Sequence, residues 1–433
     1  MLLQIEGSQA VARAVACCRP EVVCAYPISP QTHIIEAIGL LVRTGELAPC
    51  EFINVESEFA AMSVSIGASA AGARAYTATA SQGLLYMMEA VHNASGLELP
   101  VVMTLANRAI GAPINIWNDH SDAMAASDAG WIQLFAETNQ EAVDLHVLAF
   151  RLAEELSLPV MVCMDGFVLT HAVEQVDLPE QAQVDTFLPP YAPRQFLDPA
   201  DPVSIGAMVG PEAFEEVKVL AHLRQLDAID RIPELAAEFE GVFQRPSAGL
   251  VSAYRTEGAD TIVVALGSVL GTIKDAVDER RRSGERVGVV GITTFRPFPA
   301  REVRWALSGA RRVVVVEKAF RAGGGGVLSG DVTLAVHDTD IPVHTVVAGL
   351  GGRAITRRGI ESVLGSAAHG ELEALSFLDL DNTVVEHERA RVLSSSPPGS
   401  TGAATVRRRP PPVATPVGRA TPVGRATPPG EAS

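Results

Sequence analysis

No run of about eighteen apolar residues occurs in the sequence, so no segment reads as a membrane-spanning helix. Cysteine is scarce. Cys17, Cys18, Cys24, Cys50 and Cys163 are an odd number, no two form a Cys-x-x-Cys pair, and no four are spaced for zinc or an iron–sulfur cluster. They read as reduced core thiols, and no metal-ligating set is read from the chain. Positive charge is also short: 34 Lys and Arg against 51 Asp and Glu leave a net −17, which argues against nucleic-acid binding. Residues Met1–Glu6 lack the basic and apolar segments of a secretion signal, so a cytoplasmic location is expected.

What is present is a well-buried body, 47% hydrophobic with a mean hydropathy of +0.20. At 433 residues it exceeds one ordinary core and calls for two domains. Strand-like segments at 21–26, 52–55, 74–80 and 100–105 alternate with helical ones, and a further strand–helix–strand unit spans 131–163. That alternation predicts an α/β fold with mainly parallel sheets covered by helices on both faces. The prolines at 179–202 suggest an extended connector, and 213–243 an amphipathic helix or helix pair. A second α/β series begins near Asp260, with strands at 261–266, 287–292 and 312–316. The expected domains are residues 1–240 and 250–382. From 394 the composition turns to Pro, Gly and small residues, with Ala-Thr-Pro-Val-Gly-Arg at 414–419 and again at 420–425. Such a tail, residues 394–433, cannot bury a core and is expected to be disordered.

One stretch organises the rest. Val55-Glu56-Ser57-Glu58-Phe59-Ala60-Ala61-Met62 follows a short strand and runs into a helix of Ala, Gly and Ser. Ser57 is a plausible N-cap, and Glu58 falls in the first turn, where the helix dipole favours negative charge. Small residues let another backbone approach closely, which would place Glu58 in a tight, largely dry position. In parallel sheets, ligands gather beyond the carboxyl ends of the strands. Four polar clusters fall there in register: Ser29, Glu58, Ser81 with Gln82, and Arg108.

Other motifs have simpler readings. Thr79–Gly83 lacks the first glycine of a hydrolase elbow and a placed histidine base. Gly349-Leu350-Gly351-Gly352-Arg353-Ala354 fits a loose dinucleotide pattern, yet too little chain follows it, so a tight turn is favoured. Gly323–Gly326 lacks the Lys-Ser/Thr ending of a phosphate loop. Asn118–Asp122 crowds metal-ligand types into one loop, where ordinary loop hydrogen bonding is the default.

Taken together, Tyr26-Pro27-Ile28-Ser29-Pro30, Val55-Glu56-Ser57-Glu58, Thr77–Leu84, Asn107-Arg108, Ala112–Asp119, Phe295-Arg296-Pro297-Phe298-Pro299 and Gly349–Arg353 resemble the α subunit of pyruvate:ferredoxin oxidoreductases. The likeness covers roughly residues 1–380. It implies a pyrimidine-side domain for thiamine diphosphate and a transketolase C-terminal-like domain. The diphosphate and Mg²⁺ would belong to a partner subunit; the nearest motif here, Met164-Asp165-Gly166, lacks the first glycine of Gly-Asp-Gly. The resemblance further implies β, γ and δ-type partner subunits, ferredoxin reached through them, and iron–sulfur clusters not ligated by this chain. Coenzyme A and a 2-oxoacid would be the substrates. Glu58 would hydrogen-bond N1′ of the aminopyrimidine, and Arg108 would bind the substrate carboxylate. Ser29 would touch substrate, and Pro27, Ile28, Ser81 and Gln82 would line the cofactor. Two residues depart from the family pattern: Ser29 stands where threonine is frequent, and Phe59 where histidine is.

Overall fold

Fifteen strands and their connecting helices are set out in a computed structural model that describes residues 1–247 and 249–394. The strands are β1 (Leu2–Glu6), β2 (Val22–Ala25), β3 (Glu51–Asn54), β4 (Ala75–Thr79), β5 (Val102–Asn107), β6 (Ile132–Phe135), β7 (Val160–Asp165) and β8 (Val173–Asp177). They continue as β9 (Val251–Tyr254), β10 (Thr261–Ala265), β11 (Val287–Ile292), β12 (Thr294–Arg296), β13 (Arg312–Glu317), β14 (Val343–Val347) and β15 (Leu375–Phe377).

A seven-stranded sheet runs in the order β12-β6-β7-β5-β4-β2-β3, and a six-stranded sheet in the order β15-β14-β13-β10-β11-β9. All pairs within them are parallel except β12 with β6 and β9 with β11, both at sheet edges. The α/β, mainly parallel architecture is therefore as expected. Its cause is visible in β4, β5 and β7, where every residue is buried, as happens when helices cover both faces. The helix Asn139–Leu156 lies on the seven-stranded sheet with twelve buried positions and a Thr138 N-cap that accepts from the Glu141 amide.

Residues Met1–Asp379 form one compact unit. Inside it β12, from the second half of the chain, completes the first half's sheet. The connector leads into one 30-residue helix, Phe214–Phe243, rather than a pair, despite Pro233 within it. Ala228, Ile232, Leu235, Phe239 and Phe243 recur every three or four residues along its buried stripe. Phe187, Phe239 and Phe243 stack there, with centroids 4.1 to 5.9 Å apart.

β1 and β8 were not anticipated from sequence. They make a separate antiparallel ribbon with Leu2 opposite Asp177. The second unit begins at Leu380 and contains the helix Asn382–Ser394. The tail expected to be disordered falls on residues 395–433, outside the described residues. No helix among the described residues is long and apolar enough to cross a membrane.

Candidate functional site

The four strands β2, β3, β4 and β5 are contiguous in the sheet, so the segments that leave their carboxyl ends lie side by side. This brings the sequence-selected residues to one edge of the fold. After β3, Ser57 caps the helix Glu58–Ala70 by accepting from the Ala60 amide at 3.2 Å. That cap sets the direction of Glu58, whose residue is only 9% exposed. The Glu58 carboxylate has no hydrogen-bond or ion-pair partner among the described residues. It lies against Gly83: a Cβ there would come within 2.9 Å of Glu58 Oε1 and 2.5 Å of Thr79 Oγ1. Only glycine leaves room for the carboxyl at the end of β4. The Thr79 hydroxyl is itself buried without a partner. Unpaired buried polar atoms are costly, so their accumulation here marks a place for a ligand.

Arg108 closes the other side. It is 7% exposed, its Nη1 donates to the Ser29 carbonyl at 2.9 Å, and its Nε donates to the Asn115 carbonyl at 3.2 Å. It is therefore the Ser29 backbone that Arg108 holds, while the Ser29 side chain stays exposed. Nη2 has no partner, and no carboxylate lies within ion-pair distance of the guanidinium, among the described residues. Burial lowers the Arg108 pKa, and the nearby Asp122 partly restores it. A buried guanidinium without a counter-ion is a built anion site.

Ser81 starts the helix after β4 at φ +49°, a left-handed conformation in which its amide meets Asp122 Oδ2 at 2.9 Å and its hydroxyl the Ala109 carbonyl at 2.5 Å. Gln82 reaches towards Gly111, where a Cβ would meet its Nε2 at 2.6 Å. Pro27 and the half-buried Ile28 belong to the Ser29 loop; Pro27 lines a cavity of about 480 Å³ beside the β3 edge with Ile35, Phe52 and Asn54.

Sequence reasoning passed over Asp122 as loop chemistry. It is fully buried, and its Oδ2 accepts from the backbone amides of both Ser81 and Arg108 at 2.9 Å. Oδ1 accepts from Asn107 Nδ2 at 2.9 Å and from the Ala123 amide at 2.8 Å. Burial pushes its carboxyl up to about 6, against the pull of these four donors. Asp122 ties the segment after β4 to the segment after β5. Nothing in a single loop aspartate signals that role before the strands are placed side by side.

The rest of the Asn118–Asp122 loop is clamped by the second half of the chain. Asp165 at the end of β7 is 1% exposed and meets His120 Nε2 at 2.7 Å, Lys318 Nζ at 3.1 Å and the Ser268 amide at 3.1 Å. Burial pushes the Asp165 carboxyl up, but Lys318 and His120 more than reverse this and hold it well below the usual range. Lys318 Nζ also donates to Asn118 Oδ1 at 3.0 Å. Asp119 Oδ2 accepts from the Gly351 amide at 3.0 Å, in a turn where Gly349, Gly351 and Gly352 all have positive φ. The glycine-rich segment at 349–354 is thus a structural turn docked on the site loop. Asp165 spends its charge on Lys318, so the Met164-Asp165-Gly166 segment is not free to hold a cation.

Removing one partner of a buried ion pair costs about 3–5 kcal/mol. Lys318→Met is accordingly expected to lower the melting temperature of the chain by about 4–6 °C. A thermal unfolding curve unchanged within about 1 degree (roughly 1 kcal/mol at this size) would contradict the clamp.

Comparisons with known proteins bear on what this geometry serves. Residues 13–237 match the family model described as "Pyruvate flavodoxin/ferredoxin oxidoreductase, thiamine diP-bdg", and residues 259–360 match "Pyruvate:ferredoxin oxidoreductase core domain II". The pyruvate synthase subunit PorA of Methanosarcina barkeri is 46% identical over 368 residues, covering 84% of this chain and 92% of that protein. The chain belongs to the pyruvate:ferredoxin oxidoreductase family. Within this family it is also similar to the ketoisovalerate oxidoreductase subunit VorA of Pyrococcus horikoshii, 37% identical over 83% of this chain and 92% of that one. A solved 2-oxoglutarate:ferredoxin oxidoreductase from Magnetococcus marinus shares the fold, with a TM-score of 0.63 at 19% identity. That match covers 84% of this chain and 65% of the other.

Residues present here fit the thiamine diphosphate that the family binds. The buried, unpaired Glu58 carboxylate, the glycine that makes room for it and the orphaned Thr79 hydroxyl form a polar notch suited to a heterocycle bearing ring nitrogens.

Proposed function

We propose that this chain is the catalytic α subunit of a multisubunit pyruvate:ferredoxin oxidoreductase. The complex would convert pyruvate and coenzyme A to acetyl-CoA and CO₂, pass the electrons to ferredoxin, and run in either direction in the cytoplasm. The observation that carries this reading is a pair of buried groups of opposite charge, Glu58 and Arg108, each without an ion-pair partner among the described residues, after the carboxyl ends of β3 and β5 of one sheet.

Bound thiamine diphosphate supplies the electron sink for decarboxylation. Glu58 would hydrogen-bond N1′ of its aminopyrimidine and hold a proton there. Arg108 would offer its free Nη2 donors to the 2-oxoacid carboxylate, with the Ser29 loop fixed beneath it. Ser81 and Gln82, anchored through Asp122 and facing Gly111, would shape the wall between them.

The same end of the fold exposes Tyr26, Phe59, Tyr86, Ile114, Ile116 and Trp117, with Ile114 81% exposed. Apolar rims of this kind mark interaction surfaces. A β-type subunit carrying the diphosphate and Mg²⁺ would cover it, and γ and δ-type subunits would carry the clusters. None of the five thiols is available as a cluster ligand set: Cys18, Cys24 and Cys163 are buried, and burial raises the pKa of all five.

Purified with its partners and given a viologen dye, the complex is expected to turn over pyruvate faster than 2-oxoisovalerate, arylpyruvates or 2-oxoglutarate. A higher kcat/KM for one of the larger acids would reassign the substrate. A complex that binds thiamine diphosphate and reduces dye without this chain would make it an assembly subunit instead.

A further inference from the structure

Away from Glu58 and Arg108, three side chains with metal-ligating atoms converge without any role in the reaction. Glu6 ends β1, His33 lies in the first turn of the helix Thr32–Thr44, and His171 follows β7. One ligating atom from each lies within 4.8 Å of the others. His33 Nδ1 is 2.7 Å from Glu6 Oε1, and the two imidazole rings face each other with centroids 4.5 Å apart and a 32° tilt.

The surroundings fix the histidines as a ligand pair. His171 Nδ1 lies 2.7 Å from Thr170 Oγ1, which also accepts from the Phe167 amide at 2.8 Å. With Nδ1 so engaged, Nε2 is the nitrogen His171 has left for a ligand. A hydroxyl or carbonyl on the far ring nitrogen is the usual support behind a metal-bound histidine. Phe167 packs against His171 with centroids 4.8 Å apart, which limits its rotation.

We propose that Glu6, His33 and His171 bind one borderline transition-metal ion, with zinc the first choice and water in the fourth position. Two imidazoles and one carboxylate suit zinc; magnesium and calcium prefer all-oxygen shells. Bonds near 2.1 Å require ligand atoms about 3.4 Å apart. The side chains are partly exposed, so small χ rotations bring the 4.8 Å spread in, and solvent gives the ion a path. The ion would clip the β1 ribbon to the start of the helix that follows the Ser29 loop. It would also clip the turn after β7, whose Phe167 touches Trp117 of the site loop with centroids 4.9 Å apart.

The test is calorimetric titration of the chelator-treated full-length chain with ZnSO₄, alongside Co²⁺ substitution. Saturable one-to-one binding at micromolar or lower Kd is expected, with tetrahedral Co²⁺ bands and no thiolate charge-transfer band. His33→Ala and His171→Ala should each weaken binding by at least about 100-fold, and Thr170→Val by about 10-fold through the supporting shell. Zinc should raise the melting temperature of the parent chain and not that of the double His33→Ala, His171→Ala variant. No saturable binding below 100 µM (a Kd that about 5.5 kcal/mol of binding energy would already reach) overturns the proposal. So does binding that persists in the folded double variant, or a thiolate band with Co²⁺.

Discussion

Glu58→Gln is expected to leave the chain folded and its complex assembled while lowering kcat on pyruvate by about 10²–10⁴-fold, the usual worth of a positioned proton-transfer group. Glutamine has the same reach and shape, so the contacts with Gly83 and Thr79 survive. What it loses is the ability to hold the proton at the ring nitrogen. Because the carboxylate has no partner among the described residues, no other interaction is broken by the change, and stability should move little. Stopped-flow dye reduction on the assembled variant decides the matter. Turnover within a few-fold of the parent, at full cofactor occupancy, would remove Glu58 from the chemistry.

Arg108→Ala is expected to act chiefly on kcat/KM, lowering it by about 10²–10³-fold for loss of two charge-assisted hydrogen bonds to the carboxylate. Its KM for pyruvate should rise with it. Arg108→Lys should recover little, because an ammonium cannot span the Ser29 carbonyl, the Asn115 carbonyl and a carboxylate as the planar guanidinium does. The two bonds to backbone carbonyls also hold the Ser29 loop, so a modest stability loss accompanies the alanine variant. Recovery of kcat/KM by lysine, or kinetics unchanged in either variant, would reject the carboxylate role.

Much of this candidate site is legible in the sequence. Ser29, Glu58, Ser81 and Arg108 each follow a buried strand, and period and β-branched content locate such strands well. Parallel pairing then carries all four to the same sheet edge. The Ser57 cap was readable too, because its geometry is local and the structure shows its bond to the Ala60 amide. Asp122 was not, since its four donors come from two strand ends and its own turn, and no local pattern encodes their meeting. The Asp165–Lys318 pair spans 153 positions and escaped notice for the same reason. Among the strands, β12 and β15 have three residues each, too few for a period to declare itself. The helix Phe214–Phe243 was legible in its extent, while one helix and a helix pair both stayed open. Pro233 argues for a break locally, and burial of Ile232 and Leu235 on either side overrides it.

The loan of β12 to the first sheet has a consequence for how this chain can be divided. Cut between the two halves, the N-terminal piece would present β6 as a raw hydrogen-bonding margin, with Gln133 and Leu134 facing the gap that Thr294 and Arg296 normally fill. Such a fragment would recruit a stray strand or precipitate. Any division of the chain that keeps the first sheet closed would therefore have to carry residues 294–296 along with the first piece.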